Sequence, residues 1–252
     1  MNVIALINQK GGVGKSTTTL ALASGLTLKG FKVLCIDLDA QGNLSHTMRI
    51  DNTGVTGFNS MDVIEGKITA ITAIQHTEQG DIIAGSPALT GSDINIRGPG
   101  KEFRLREALK SIKYDFVVID TPPSLGILLV NALTASTGCI IPAQADIYSL
   151  EGISRLYNTL QAVKKHTNPS LEIFGILLTR FNRRAIISRE IAEMIEHTAG
   201  QLNTKLYKAR IRENTSIKES QAVRQSIFTY APKSNAAKDY SEFIEEFLRQ
   251  IS

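Results

Sequence analysis

Lys10-Gly11-Gly12-Val13-Gly14-Lys15-Ser16-Thr17 is the part of this 252-residue chain whose residue types and spacing point most directly to chemistry. Gly11, Gly12 and Gly14 lack a Cβ, so the backbone there can turn with positive φ and aim its N–H groups at an anion. Lys15 adds a charge that would reach the β- and γ-phosphates of a nucleotide. The Ser16 hydroxyl suits Mg²⁺, which takes hard oxygen ligands and keeps several waters, and Thr17 would touch the α-phosphate. The backbone of Gly11, Gly12, Val13, Gly14, Lys15, Ser16 and Thr17 thus forms a candidate nucleotide-binding loop. An apolar run, residues 3–7, precedes it and a helical pattern from Ser16 follows. This strand–turn–helix context is what gives the G-x-x-x-x-G-K-[ST] spacing its meaning. The first glycine of that spacing is replaced by Gln9 or Lys10, depending on alignment, and Lys10 is a second lysine inside the loop.

Two further strand ends carry acids. Asp37 and Asp39 end the run Val33-Leu34-Cys35-Ile36 at alternate positions, which predicts that both face one side of the strand end. Open α/β sheets bind ligands at that edge. A cap or a strand-end hydrogen bond is the plainer reading of Asp37. The run Phe116-Val117-Val118-Ile119 ends in Asp120, placed to hold Mg²⁺ through a water.

Apolar runs alternate with helical patterns, which predicts an α/β fold: one doubly wound, mostly parallel sheet flanked by helices. Strands are expected at residues 3–7, 33–37, 81–84, 116–119, 138–142 and 173–178, with a shorter one at 205–207. Helices are expected at 16–29, 101–112, 125–135, 150–166, 188–199, 217–222 and 235–250, the fifth with Ser188 as a plausible N-cap. Residues 85–100 read as a long, mobile loop. The expected organisation is one domain over residues 1–252 with no N-terminal helix-turn-helix extension.

Composition narrows the function classes. At 42 % hydrophobic residues the chain is globular rather than disordered. No apolar run is long enough to span a bilayer. The two cysteines, Cys35 and Cys139, lie in strand-like runs and read as buried thiols of a reducing compartment. No Cys/His spacing suggests zinc. Residues 1–150 carry 12 Lys+Arg against 13 Asp+Glu, and residues 151–252 carry 16 against 11, so the basic excess lies in the C-terminal part. Arg183, Arg184, Lys208, Arg210, Lys218 and Arg224 are the candidate contacts to a polyanion there. Phosphate contacts by Lys and Arg carry no sequence information, so the expected form is non-specific DNA binding. A solvated surface, salt-bridged to the interspersed glutamates, is the alternative.

The K-G-G-x-G-K-[ST] loop resembles the deviant Walker A loop of the ParA/MinD/nitrogenase-iron-protein class of ATPases. Other segments resemble the ParA/Soj branch: residues 37–43 its D-x-D-P-Q-G-N segment with Ala40 for proline, and residues 120–124 its D-T-P-P-S switch. Residues 142–152 resemble its P-x-Q-x-E…L-E-G stretch near a dimer interface, with Asp146 where Glu is common. Residues 211–214 resemble its I-P-R-N, with Arg212 for proline. The resemblance implies an ATP- and Mg²⁺-dependent hydrolase that partitions plasmids or chromosomes. In such a protein Lys10, Lys15 and Asp39 are catalytic: Lys10 crosses to the partner's phosphates in a sandwich homodimer, and Asp39 orients the attacking water. Ser16 and Asp120 (through a water) hold the metal, and Thr179, Arg180 and Arg212 border the adenine. The implied partners are a second copy of the chain, double-stranded DNA bound without sequence preference, and a ParB-type centromere-binding protein that stimulates hydrolysis, all in a cytoplasmic, nucleoid-associated setting with no membrane. Rival readings are a MinD-like or other cargo-positioning ATPase, an iron–sulfur reductase or scaffold, and a metabolic P-loop enzyme. The acidic C-terminal helix argues against a membrane anchor, and the lack of bridging cysteines against a cluster.

Overall fold

The computed structural model describes residues 1–49 and 57–251. Its centre is a sheet of eight strands among the described residues: β1 (Asn2–Leu6), β2 (Val33–Asp37), β3 (Ile74–Thr77), β4 (Gly80–Ile83), β5 (Phe116–Asp120), β6 (Gly138–Ala143), β7 (Glu172–Phe181) and β8 (Leu206–Arg212). The order is β3-β4-β2-β5-β1-β6-β7-β8. Every neighbouring pair is parallel except the β3–β4 hairpin, which is antiparallel.

The central strands are apolar on both faces because helices cover both. Along β1 and just beyond it, Val3, Ala5 and Ile7 join one core, while Ile4 and Leu6 join the other. The first core is closed by the helices Ile127–Ala135, Ile147–His166 and Ile186–Gln201. The second is closed by Lys15–Leu28 and Asn235–Ile251. The latter helix buries Tyr240, Phe243, Ile244 and Phe247, so its apolar stripe is spent on the core. From β1 the sheet is extended through β5 and β2 on one side and through β6 on the other. The loop after β1 therefore opens at the switch point where such sheets bind ligands.

Several elements differ from the sequence expectation. β8 runs over Leu206–Arg212 rather than 205–207, because Tyr207, Ala209 and Ile211 join the second core while Lys208 and Arg210 alternate with them on the more exposed face. β7 continues through Thr179 and Arg180 to Phe181. The hairpin strand β3 and a short helix at Asn43–Thr47 were not foreseen. Residues 85–100 are not a bare loop. They hold a 3₁₀ turn at Pro87–Leu89 and a helical turn at Ser92–Asn95, and Leu89 and Ile96 anchor them in the core. The helix expected from Ser188 begins at Ile186 after Ala185, with no side-chain cap. The helix expected from 150 begins at Ile147, where Asp146 accepts a hydrogen bond from Ser149 N at 2.8 Å. The helix expected over 101–112 is a 3₁₀ turn, Lys101–Phe103, followed by Arg104–Leu109.

Candidate nucleotide site

The loop after β1 folds as its glycines require. Gly12 and Gly14 hold φ of 75° and 85°, a left-handed conformation that a side chain would strain. Gly14 is the N-cap of Lys15–Leu28, and no side chain bonds the first N–H groups of that helix. Those groups and the positive end of the helix dipole are left for an anion.

Neighbouring strands hold the loop from beneath. The Asn8 side chain accepts from Lys10 N at 2.9 Å and donates to the Pro142 carbonyl at 2.7 Å. The Thr179 hydroxyl reaches the Val13 carbonyl at 2.8 Å and lies 3.2 Å from that of Ala143. The Val13 side chain is fully buried, so only its backbone can face a ligand. Gln144 Nε2 donates to the Gly12 carbonyl at 3.2 Å. Sequence reasoning passed over Asn8, since an amide after an apolar run has no spacing signature, whereas Gln144 is the glutamine of the P-x-Q-x-E resemblance.

Lys15 is 6 % exposed, with Nζ 3.4 Å from the Lys10 carbonyl. Burial lowers its affinity for a proton, and Asp120 and Asp39 act in the opposite sense. Asp120 is fully buried, and neither of its carboxylate oxygens has a hydrogen-bond partner. Burial, then the charge of Asp37, push its carboxyl well above the usual range. The nearby Ser16 hydroxyl and the Lys15 ammonium favour the charged form without completing a bond. A buried carboxylate with open lone pairs beside a serine hydroxyl suits a hydrated Mg²⁺. No ready-made cluster of three or more His, Cys, Asp or Glu exists among the described residues.

Asp37 and Asp39 do not act as the matched pair that their spacing suggests. β2 ends at Asp37, and the chain then turns. Asp37 is sealed in the interior, and burial raises its carboxyl to about 6 despite bonds from Ser45 and Asp39 N. Asp39 is 9 % exposed and borders the cavity.

That cavity, about 520 Å³, is lined by the glycine loop, Lys15, Ser16, Thr17, Asp39 and Pro123, and on its far wall by Ser220, Gln221 and Gln225. Gln221, which the sequence did not single out, donates to the Thr17 hydroxyl at 2.8 Å. A smaller adjoining cavity of about 150 Å³ brings together Thr179, Arg180 and Arg212, with Lys218 and Tyr240. Thr179 lies under the loop with its hydroxyl committed. Arg180 takes a left-handed φ of 49° and pairs with Glu213 at 2.9 Å. Arg212 pairs in fork fashion with the buried Asp239, its shortest contact 2.5 Å.

Lys10 directly precedes Gly11, the first residue of the cavity lining. Its Nζ is 2.5 Å from Asp146 Oδ2 and 6.0 Å from the Tyr148 ring centroid, and each partner of the ion pair is 32 % exposed. Burial works against the charged form of Asp146, yet the hydrogen bonds from Lys10 and Ser149 hold its carboxyl below the usual range. Ile147 and Tyr148, which follow Asp146, are exposed, as are Leu125 and, on the helix Ile186–Gln201, Ile186, Ile187 and Met194.

The basic candidates do not form one element. Arg183 and Arg184 are exposed in the turn after β7, while Lys208 and Arg210 lie on edge strand β8. Arg210 stacks on the Phe181 ring at 4.9 Å. Lys218 sits on the helix Thr215–Ala222 and borders the smaller cavity, and Arg224 follows that helix with a φ of 55°. Cys35 and Cys139 are buried and free, the Cys139 thiol pushed up to about 12 by burial.

A strand, a glycine turn with left-handed joints, a helix with open N–H groups and a buried lysine facing two carboxylates define a P-loop nucleotide-binding protein. Comparison narrows the class. Residues 1–173 match the family described as AAA domain. The sporulation initiation inhibitor protein Soj of Bacillus subtilis is 37 % identical over 249 residues, 97 % of each chain. The chromosome-partitioning ATPase Soj of Thermus thermophilus is 34 % identical over 249 residues, 98 % of this chain and 96 % of that one. Among solved structures, cobyrinic acid a,c-diamide synthase from Mycobacterium smegmatis with bound ADP and magnesium aligns with a TM-score of 0.86. It is 29 % identical, over 100 % of this chain and 95 % of that one. This chain belongs to the ParA/Soj-type partition ATPases.

Proposed function

We propose that the protein hydrolyses ATP with Mg²⁺ as part of a DNA-partition system, cycling between a monomer and an ATP-bound sandwich dimer that binds DNA without sequence preference. The observation that carries the dimer is the placement of Lys10. It directly precedes Gly11 of the cavity lining, its ammonium pairs with Asp146, and Ile147 and Tyr148, the two residues after Asp146, are exposed apolar side chains of the kind that a protein interface covers. The relatives named for chromosome partitioning and ATPase activity support the reaction class, and the neighbour with ADP and magnesium supports the cofactors.

In this reading the backbone N–H groups of residues 11–17 and the Lys15 ammonium hold the phosphates. Ser16, and Asp120 through water, hold Mg²⁺, which supplies charge neutralisation on the phosphate oxygens. Asp39 orients the attacking water at the cavity wall. Lys10 of one subunit neutralises charge on the nucleotide of the other. Thr179, Arg180 and Arg212 border the base. Catalysis is positioning and electrostatic stabilisation, and a ParB-type partner accelerates it. Arg183, Arg184, Lys208, Arg210, Lys218 and Arg224 supply phosphate contacts to DNA. Among the described residues no helix is long and apolar enough to cross a membrane, and the C-terminal helix hides its apolar face, which fits a nucleoid-associated cytoplasmic setting better than a MinD-like membrane cycle.

One observation favours a second reading. The structural neighbour described above is named for a metabolic synthase, so a small-molecule ligase is the rival. Binding to a random-sequence DNA duplex, measured with ATP, with ADP and without nucleotide across a salt series, separates them. Binding only with ATP, weakening steeply with salt, supports partition and phosphate contacts. ATP hydrolysis with no DNA binding at any salt supports the ligase.

A further inference from the structure

The loop that presents Asp39 is braced by a buried chain of hydrogen bonds whose other members, Asp37, Ser45 and Gly85, lie outside the lining of the nucleotide cavity. Asp37 Oδ1 accepts from Asp39 N at 3.0 Å. Asp37 Oδ2 accepts from Ser45 N at 2.9 Å and from the Ser45 hydroxyl at 2.7 Å. The Ser45 oxygen in turn accepts from Gly85 N at 2.8 Å, just beyond the end of β4. Asp37 and Ser45 are fully buried. The Ser60 hydroxyl fixes the other end of the same residue, donating to the Asp37 carbonyl at 2.7 Å. Gly85 fits only because it has no side chain. A Cβ there would lie 2.9 Å from Asp37 Cγ and 2.9 Å from the Asp39 carbonyl oxygen.

Position 40 gives this brace its purpose. The segment resembles one with proline after the second aspartate, and a proline would stiffen the turn by fixing φ. Here the residue is Ala40, so stiffness has to come from elsewhere. The loop's own bonds, Gln41 N to Asp39 Oδ1 and Gly42 N to Asp39 O, are local. The bonds through Asp37, Ser45 and Gly85 tie it to β2, to the helix Asn43–Thr47 and to the end of β4.

We infer that Ser45 and Gly85, acting through Asp37, are positioning residues that hold the Asp39 carboxylate toward the cavity in place of the missing proline. The inference rests on the reading of Asp39 as the residue that orients water. A shift of the order of 1 Å in such a group can cost about a hundredfold in rate, so loss of the brace reads out in hydrolysis rather than in binding.

The test measures single-turnover ATP hydrolysis and, separately, the Kd for Mg·ATP, in the full chain and in Ser45→Ala, Gly85→Ala and Asp39→Ala, with melting curves to show that each is folded. The expected result is a rate at least about tenfold lower in Ser45→Ala and in Gly85→Ala, with Kd within about twofold of the parent. Adding Ala40→Pro to Ser45→Ala is expected to restore much of the rate, an effect that a merely structural role for Ser45 would not show. If Asp39→Ala is slow while both brace variants hydrolyse at the parental rate, the inference falls and the reading of Asp39 stands. Parental turnover in Asp39→Ala removes the reading and the inference together. Loss of rate and affinity in parallel, or no rescue by Ala40→Pro, also overturns it.

Discussion

Removing the carboxylate charge at position 146 should make the ATP-bound dimer form more readily. In the monomer Lys10 Nζ lies 2.5 Å from Asp146 Oδ2, and both side chains are 32 % exposed. If Lys10 must reach a second subunit's phosphates, this contact competes with dimerisation. A partly exposed pair is screened by solvent and contributes about 0.5–1 kcal/mol. Asp146→Asn keeps the cap on the Ile147–His166 helix, because Asn and Asp serve equally well there. It removes only the charge that holds Lys10. Both subunits must open this pair, about 1–2 kcal/mol in all, so at about 1.4 kcal/mol per decade the dimer dissociation constant with a slowly hydrolysed ATP analogue should fall roughly 5- to 30-fold. The gain should shrink as salt is raised, since screening already weakens the pair in the parent protein. Sedimentation velocity over a concentration series at two ionic strengths measures both effects. An unchanged or weaker dimer in Asp146→Asn at low salt would refute the reasoning, because it would mean that Asp146 supports the dimer rather than restraining Lys10.

Lys15→Ala should abolish Mg·ATP binding in titration calorimetry, and retained tight binding would remove the loop from phosphate recognition. Asp39→Ala should still dimerise with ATP yet hydrolyse it at least about a hundredfold more slowly, and normal turnover would clear Asp39 of a role with the water. Asp120→Asn should cancel the thermal stabilisation that Mg²⁺ gives the nucleotide-bound protein, because it removes the buried carboxylate whose oxygens lack a hydrogen-bond partner and are open to a hydrated metal. The same groups set a pH trend. Asp37 is raised to about 6 and Asp120 is raised as well. Between about pH 4 and pH 6 the folded state therefore binds more protons than the unfolded one, and this part of the stability falls as pH rises. The nucleotide-free protein should melt at a higher temperature at pH 5 than at pH 7, by a margin that narrows in Asp120→Asn; an equal margin in both proteins would contradict the assignment.

The fold class and the phosphate loop were legible in the sequence for a local reason. Glycines at 11, 12 and 14, the Lys15-Ser16 pair and the flanking apolar strand are contiguous, and their conformations follow from which residues can take positive φ. Asp120 was legible because it ends a run that is apolar on both faces. What lay beyond the sequence depends on partners distant along the chain. The spacing of Asp37 and Asp39 suggested twins, but Ser45 and Gly85 make one a brace and leave the other at the cavity. Lys10 was recognisable as unusual, while its contact with Asp146, 136 positions away, exists only once β6 lies beside β1. Edge strand β8 extends past 205–207 with buried Tyr207, Ala209 and Ile211 alternating with Lys208 and Arg210, a period-two pattern that a search for continuous apolar runs passes over. Gln221 and Asn8 acquired roles from the backbone groups that folding placed within reach. The sequence by itself determined which residues could cradle phosphate, since that chemistry is set by local conformation. Tertiary structure decided which of the acidic and amide side chains face the cavity, since orientation depends on hydrogen bonds that only the assembled sheet can supply.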